Sequence, residues 1–433
     1  MAISTPNSSG DTFPSFTGGL RYPAPDVARG FMLLLIAIAN VPFWILTFPE
    51  KAEETVIEQW MLLVRIMFID WRAYPLFSML FGFGLMTMVN RLREKHIATR
   101  QAQFAAANVT PADQEAQEQW YRVFSHEGVR EGSRLVIKRG WWMLLFGAIH
   151  GLFFIGDIIG AYAVVALLLG ALIAHKKWGI LYSVSGIILL LSAFMFIGKE
   201  WAVQFMGVNY QDQALQNQTL FNPLQNIILW VPLVLISQPL LSLIVPSVVI
   251  GARLADTDII THPERYRRLL WSVGIGGLAL AGLLALPWAL SKVGFSPSVF
   301  LGSLELRVLG GIFGAAGWLA LLTLLAGPAR ERLTGWRWVM SSVGRRSMTA
   351  YLSQTVLFLI ICALLQISGV TSLSEGVAAA IAVGVWIVTV VMCVVMEKAG
   401  WKRGPFEVLL RNLVARSMKP TQYPVPQYAP AAQ

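Results

Sequence analysis

The sequence predicts an all-α polytopic membrane protein of about ten transmembrane helices, with both termini cytoplasmic. Three observations predict it. Only 13% of the 433 residues are charged and 56% are hydrophobic, whereas a soluble domain carries about a quarter charged residues. The apolar residues arrive in runs near the roughly 20 that cross a hydrocarbon core about 30 Å thick. Finally, Lys and Arg alternate from loop to loop, as topology signals do.

The first twenty residues, rich in Ser, Thr, Gly and Pro, lack a basic region followed by an apolar core. They read as a disordered tail over 1–20, not as a cleavable signal peptide. The ten-helix domain covers 21–413. Its spans fall near 30–48, 73–90, 139–155, 158–174, 178–198, 226–250, 270–290, 306–326, 347–367 and 376–396. Between the first two lies VIEQWMLLVRIMFID at 56–70, broken by Glu58 and Arg65; it reads as an interfacial helix. A hydrophilic cytoplasmic insert near 97–120 is expected to be partly helical, and 201–225 is the largest outer connection. A Pro-rich tail over 414–433 is expected to be disordered.

With the N-terminus inside, the inner segments hold 28 of the 34 Lys and Arg residues. The outer segments hold only Lys51, Arg65, Arg72, Lys199, Lys292 and Arg307. The net charge of +10 is therefore a topology signal and does not call for a nucleic-acid partner; membrane lipids are the expected surroundings. Cys362 and Cys393 both sit in apolar blocks, which excludes a disulfide framework or a zinc cluster. There is no P-loop, H-E-x-x-H or G-x-S-x-G motif, and no tightly bound cofactor is expected. GGIFGAAG at 310–317 lies in mid-span, where glycines serve packing.

A polar group inside a span is expensive to insert, so such groups are the starting list for function. Arg29 and Asn40 are eleven residues apart, three turns plus about 20°, and share one helix face with Asp26. Arg29 is read either as a substrate-binding group or as an anchor paired with Asp26, and Asn40 as a site residue or an interhelical hydrogen bond. In GAIHGLFFIGDIIGAY, His150 is flanked by Gly147 and Gly151, a spacing that admits a neighbouring helix. Asp157 follows seven residues later, two turns on if the helix continues, at a tight outer turn. A histidine so placed can act as general base with the carboxylate orienting it; the alternative is a packing histidine. Asp70 and Arg72 line an outer vestibule or form a local ion pair. Ser347, Thr349, Tyr351, Ser353 and Gln354 crowd one end of the ninth span, so they face the interior, to bind a ligand or to tie helices together.

Five blocks carry a family resemblance: ARGFMLLLIAIAN at 28–40, YPLFSMLFGFG at 74–84, KRGWWMLLFGAIHGLFFIGDIIGAYAVVALLL at 138–169, GRRSMTAYLSQT at 344–355 and KRGPFEVLLRNL at 402–413. Over most of the chain, from about Arg21 to Leu413, the sequence resembles the bacterial inner-membrane family known as domain of unknown function 418, or YeiB-like proteins. That family is similar in turn to the transmembrane acyltransferases, which include the acyltransferase-3 proteins and heparan-glucosaminide acetyltransferase. The acyltransferase-3 pattern has an Arg, ten residues, then a His on the first span. Here Arg29-x10-Asn40 keeps the spacing with Asn in place of His, as in the heparan acetyltransferase-like branch.

The resemblance implies transfer of an acyl group from a cytoplasmic acyl-CoA, as co-substrate, to a hydroxyl of an extracytoplasmic glycan or lipid-linked sugar. Catalysis is then expected from His150, Asp157 and Asn40, and binding from Arg29, Asp26, Asp70, Arg72, Tyr351 and Gln354. Asn40 cannot be the base, which leaves His150 as the intramembrane candidate. A transporter of a small solute or lipid is the rival reading, although the chain shows no internal repeat of the kind many carriers have.

Overall fold

The computed structural model describes residues 22–111, 113–206, 219–296, 300–419 and 421–424. The expected tail over 1–20 therefore lies outside the described residues, as do 207–218 of the outer connection and 425–433 of the C-terminal tail. The described residues form helices and no strand, and an isolated bridge joins Glu50 to Ser372.

The chain is a multi-pass membrane protein. Eight helical segments among the described residues are long and apolar enough to cross a membrane: Ala24–Ile45, Val56–Ala106, Trp178–Met206, Pro223–Leu241, Arg267–Lys292, Ser303–Ala326, Ser347–Ile367 and Glu375–Lys398. Their outer faces expose large apolar side chains such as Leu190, Phe194 and Leu283, a surface suited to lipid.

Two of the ten expected spans do not qualify by length and composition. The stretch at 139–155 is the end of one helix, Gln114–Gly151 (α5), whose first part is charged. The stretch at 158–174 is Ile159–Ala174 (α6), 16 residues long, or about 24 Å at 1.5 Å per residue. These two helices meet at the turn that carries His150 and Asp157.

The apolar core gathers around Ala24–Ala39 (α1), Ala73–Ala106 (α4), α6 and Ile244–Leu254 (α10). The central helix α1 packs against α4, Ser303–Ala326 (α12), Gly335–Gly344 (α13) and Glu375–Lys398 (α15). Glycine sets the closest of these approaches. A Cβ on Gly30 would lie 2.2 Å from the carbonyl oxygen of Met340, and one on Gly344 would lie 1.8 Å from that of Asp26. The backbones of α1 and α13 thus touch at both ends of their crossing, as small residues permit in membranes.

The expected single span at 226–250 is broken. Helix Pro223–Pro232 (α8) passes into a π turn at Leu233–Ser237, a short helix Gln238–Leu241 (α9), a non-helical Ser242, and then α10. Pro232 stands at the last residue of α8, Pro239 in α9 and Pro246 in α10; each removes a backbone N–H from the ladder. A helix forms where one was expected, at Val56–Phe68 (α3), closed at its start by a capping box between Thr55 and Glu58. The insert is a helical hairpin of α4 and α5, pinned by Ile97, Phe104 and Phe124.

The last helix, Pro405–Ser417 (α16), runs past the boundary drawn at 414. Beyond it Thr421 and Tyr423 donate hydrogen bonds to Glu131 of α5, at 2.6 and 2.8 Å.

Candidate functional site

His150 lies in the last turn of α5, which ends at Gly151. The helix does not continue to Asp157, as the two-turn spacing supposed. The chain turns at 152–158 and brings the carboxylate back onto the ring, with Asp157 Oδ1 2.8 Å from His150 Nδ1. The histidine is 5% exposed and the aspartate fully buried.

Four donors meet the Asp157 carboxylate. Oδ1 receives the His150 ring N–H and the backbone N–H of Ile159 at 3.1 Å. Oδ2 receives the Gly160 N–H at 2.7 Å and the Trp230 indole N–H at 3.2 Å. The carboxylate also sits at the start of α6, where the helix dipole favours negative charge. The paired glycines expected to admit a neighbour do so: a Cβ on Gly147 would meet the Gly160 backbone at 2.5 Å, and one on Gly151 the Trp230 ring at 2.5 Å.

A carboxylate ion only accepts, so Nδ1 carries the ring proton, an assignment made from the network. Nε2 is then the free base, and Thr355 Oγ1 lies 2.9 Å from it. Thr355 and Tyr351 are one turn apart on Ser347–Ile367 (α14), and the Tyr351 ring stands 5.1 Å from the imidazole. Sequence reasoning missed Thr355 and Trp230. Thr355 closes the block GRRSMTAYLSQT and lies four residues after Tyr351, a helical spacing that marks a shared face. Trp230 left no signal.

Beside this network is a cavity of about 370 Å³. Its wall includes Asn40, Asp70 and Tyr351 from the sequence-derived set, joined by Tyr74, Gln238 and Arg307. The broken segment contributes Leu233, Gln238, Ser242 and Ile244. Irregular backbone at membrane depth is tolerated where it is buried in protein or lines a cavity, and these helix breaks meet that condition. His150 itself is not part of the wall; Tyr351 stands between.

Asp70 lies 3.3 Å from Arg65 and 3.8 Å from Arg307, and Arg65 also pairs with Glu375. Arg72 corrects both of its expectations, since it neither lines the cavity nor pairs with a carboxylate. Its fully buried guanidinium donates to the carbonyls of Asp70 and Ala281, each at 2.7 Å. Gly314 leaves room for its stem, because a Cβ there would lie 2.5 Å from Arg72 Cγ. Trp71, between the two, adopts φ +63°, a strained conformation for a bulky residue.

Residues 254–417 match the model of a family described as a protein of unknown function, DUF418. The match covers little more than a third of the chain and supports the DUF418 family. No curated protein and no solved structure matches it. The matched part of the chain holds Arg307, Tyr351, Gln354 and Thr355, while Asn40, Asp70, His150 and Asp157 precede it.

The Arg29 end of α1 opens on a separate cavity of about 720 Å³. Asp26 and Arg29 line it, 3.4 Å apart, together with Arg91, Lys95 and Arg345. Arg29 and Asn40 thus share a helix but not a cavity, at a separation of about 16 Å along the axis. Gln354 lines neither cavity; its amide donates to the Leu33 carbonyl at 3.3 Å and ties α14 to α1. Two other blocks of the sequence fasten each other: Glu407 accepts from the N–H groups of Met348 and Thr349, at 2.8 and 3.0 Å, and so caps α14. Chemically, the protein offers an oriented imidazole with a hydroxyl at its second nitrogen, one side chain away from a mostly apolar cavity with a few polar groups.

Proposed function

We propose that this protein is an integral-membrane acyltransferase of the bacterial inner (cytoplasmic) membrane, spanning it about ten times with both termini inside. The segregation of Lys and Arg supports that orientation, which puts the Arg29 cavity on the cytoplasmic side. Four basic side chains against one carboxylate make that cavity a receptor for the phosphates of an acyl-CoA. The acceptor, a hydroxyl of an extracytoplasmic glycan or lipid-linked sugar, enters the Asn40 cavity.

The observation that carries the reading is the order Asp157–His150–Thr355. Asp157 fixes the tautomer, and Nε2 faces a hydroxyl at 2.9 Å, the geometry in which a histidine removes a hydroxyl proton. During the reaction the acceptor hydroxyl takes the position that Thr355 holds. Tyr351 is the gate, since its ring stands 5.1 Å from the imidazole and also lines the cavity. The Asn40 amide donates to the oxyanion that develops on the thioester carbonyl.

A carrier for a small solute or lipid is the second reading, favoured by the broken helix beside one of two opposed cavities. Purified protein in proteoliposomes separates the two. Acyl transfer requires release of free CoA thiol and an acylated glycoside in equal amounts. Uptake of a solute without chemical change, with no thiol release, supports the carrier instead.

A further inference from the structure

The Asn40 cavity contains two buried hydrogen-bond acceptors that nothing among the described residues satisfies. Asp70 Oδ1 and Gln238 Oε1 have no partner among the described residues, and both residues line this cavity. Buried polar atoms are paired in the great majority of cases, so orphans call for an explanation. Both sit at breaks in regular structure, Asp70 beside the positive φ of Trp71 and Gln238 directly after the π turn. The fold thus departs from regular helix at both places where it presents an unpaired acceptor to this space.

We infer that this cavity binds a neutral polyhydroxylated head group, a sugar ring, whose hydroxyls donate to Asp70 and Gln238. The charge balance selects neutrality. Asp70 and Glu375 offset Arg65 and Arg307 in the adjoining ion-pair cluster, so an ammonium head would face Arg307 and an anionic head would face the unpaired carboxylate oxygen. The orphans select a group that both donates and accepts, because Asp70 Oδ1 and Gln238 Oε1 are acceptors while Arg307 Nε, on the same wall, is an unpartnered donor among the described residues; a hydroxyl does both. Trp71, Tyr74 and Phe43 supply flat apolar faces in the same wall, which suit the C–H faces of a pyranose. A volume of about 370 Å³ is within the ordinary range for a small-molecule site. The inference rests on the acyl-transfer reading for what happens to the sugar, but not for its binding.

The test uses full-length protein in lipid nanodiscs, with methyl β-D-glucoside, methyl β-D-galactoside and methyl N-acetyl-β-D-glucosaminide as probes and saturation-transfer NMR as readout. Trimethylamine N-oxide, which only accepts, and methylammonium are the controls. At least one glycoside is expected to bind saturably and neither control to do so. Gln238→Leu is expected to weaken the glycoside about tenfold, the effect of losing one hydrogen bond. Asp70→Asn, which keeps an acceptor but loses its ion pairs, serves as a second variant, checked for folding by its thermal transition. His150→Ala is expected to leave binding unchanged.

The inference is overturned if no glycoside saturates the folded protein, if Gln238→Leu binds as wild type does, or if ordered water alone occupies both acceptors at saturating glycoside. Glycoside binding without acyl transfer to any acceptor sinks the enzyme reading alone. Acyl transfer to a non-sugar acceptor, with no glycoside bound, sinks the present inference alone.

Discussion

Replacing Asp157 by Asn tests whether the carboxylate organises the site. The native group accepts four hydrogen bonds, two on each oxygen. An asparagine presents one oxygen and one NH2 to the same four donors. With its oxygen towards His150 and Ile159, the NH2 faces the Gly160 N–H and the Trp230 indole; turned round, it faces the other pair. In the first orientation two donors lose their acceptor; in the second the imidazole can change tautomer and accept at Nδ1, which leaves the Ile159 N–H without one. Each lost bond is worth about 1–2 kcal/mol inside a membrane bundle, so the variant should be about 1–4 kcal/mol less stable. Lost helix-dipole stabilisation at the start of α6 adds to this. Reversible denaturation in mixed micelles, followed by tryptophan fluorescence, measures the difference. A variant within about 0.5 kcal/mol of wild type, inside the ordinary range of surface substitutions, would show that the four contacts do not hold the turn at 152–158 and would refute the reasoning.

Two further outcomes follow from the packing and from the tail. Gly344→Ala places a methyl 1.8 Å from the Asp26 carbonyl oxygen; since both sides are backbone, α1 and α13 must separate. Overpacking of this kind costs about 1–3 kcal/mol or more, and a lower thermal midpoint in detergent is the measurement. Glu131 is pushed up by burial, but hydrogen bonds from Thr421, Tyr423 and Arg134 more than offset this and hold its carboxyl below the usual range. Its contribution to docking residues 421–424 is therefore fully present above the unfolded value of about 4.3 and is lost as pH falls through the lower folded value. A fluorophore placed after Tyr423 should gain mobility only in that acidic window, and Glu131→Gln should show the mobile state at neutral pH.

Hydropathy and composition carried the helical membrane architecture because lipid constrains every residue of a span. They failed where local chemistry overrides that constraint. The prolines at 232, 239 and 246 were visible, but a proline-bearing span also fits an unbroken, kinked helix, so the π turn and the Ser242 break were not legible. The His150–Asp157 pair was legible from its spacing, yet the reason was different: a turn folds the two together, where a straight helix had been expected to align them. Thr355 is 205 residues from His150, and no local pattern reports so distant a contact. Arg72 illustrates the opposite error. A charged pair two residues apart suggested an ion pair, but the guanidinium lies between helices and binds two carbonyls instead.

The central claim is that His150 removes a proton during acyl transfer. The most direct test compares wild type with His150→Ala in nanodiscs, following CoA thiol release from an acyl-CoA in the presence of a bound glycoside. The account predicts a loss of about 10²–10⁴-fold, the usual contribution of a positioned base, in a variant that is less stable but still folded and still binds glycoside. Transfer at the wild-type rate by the folded variant would contradict it.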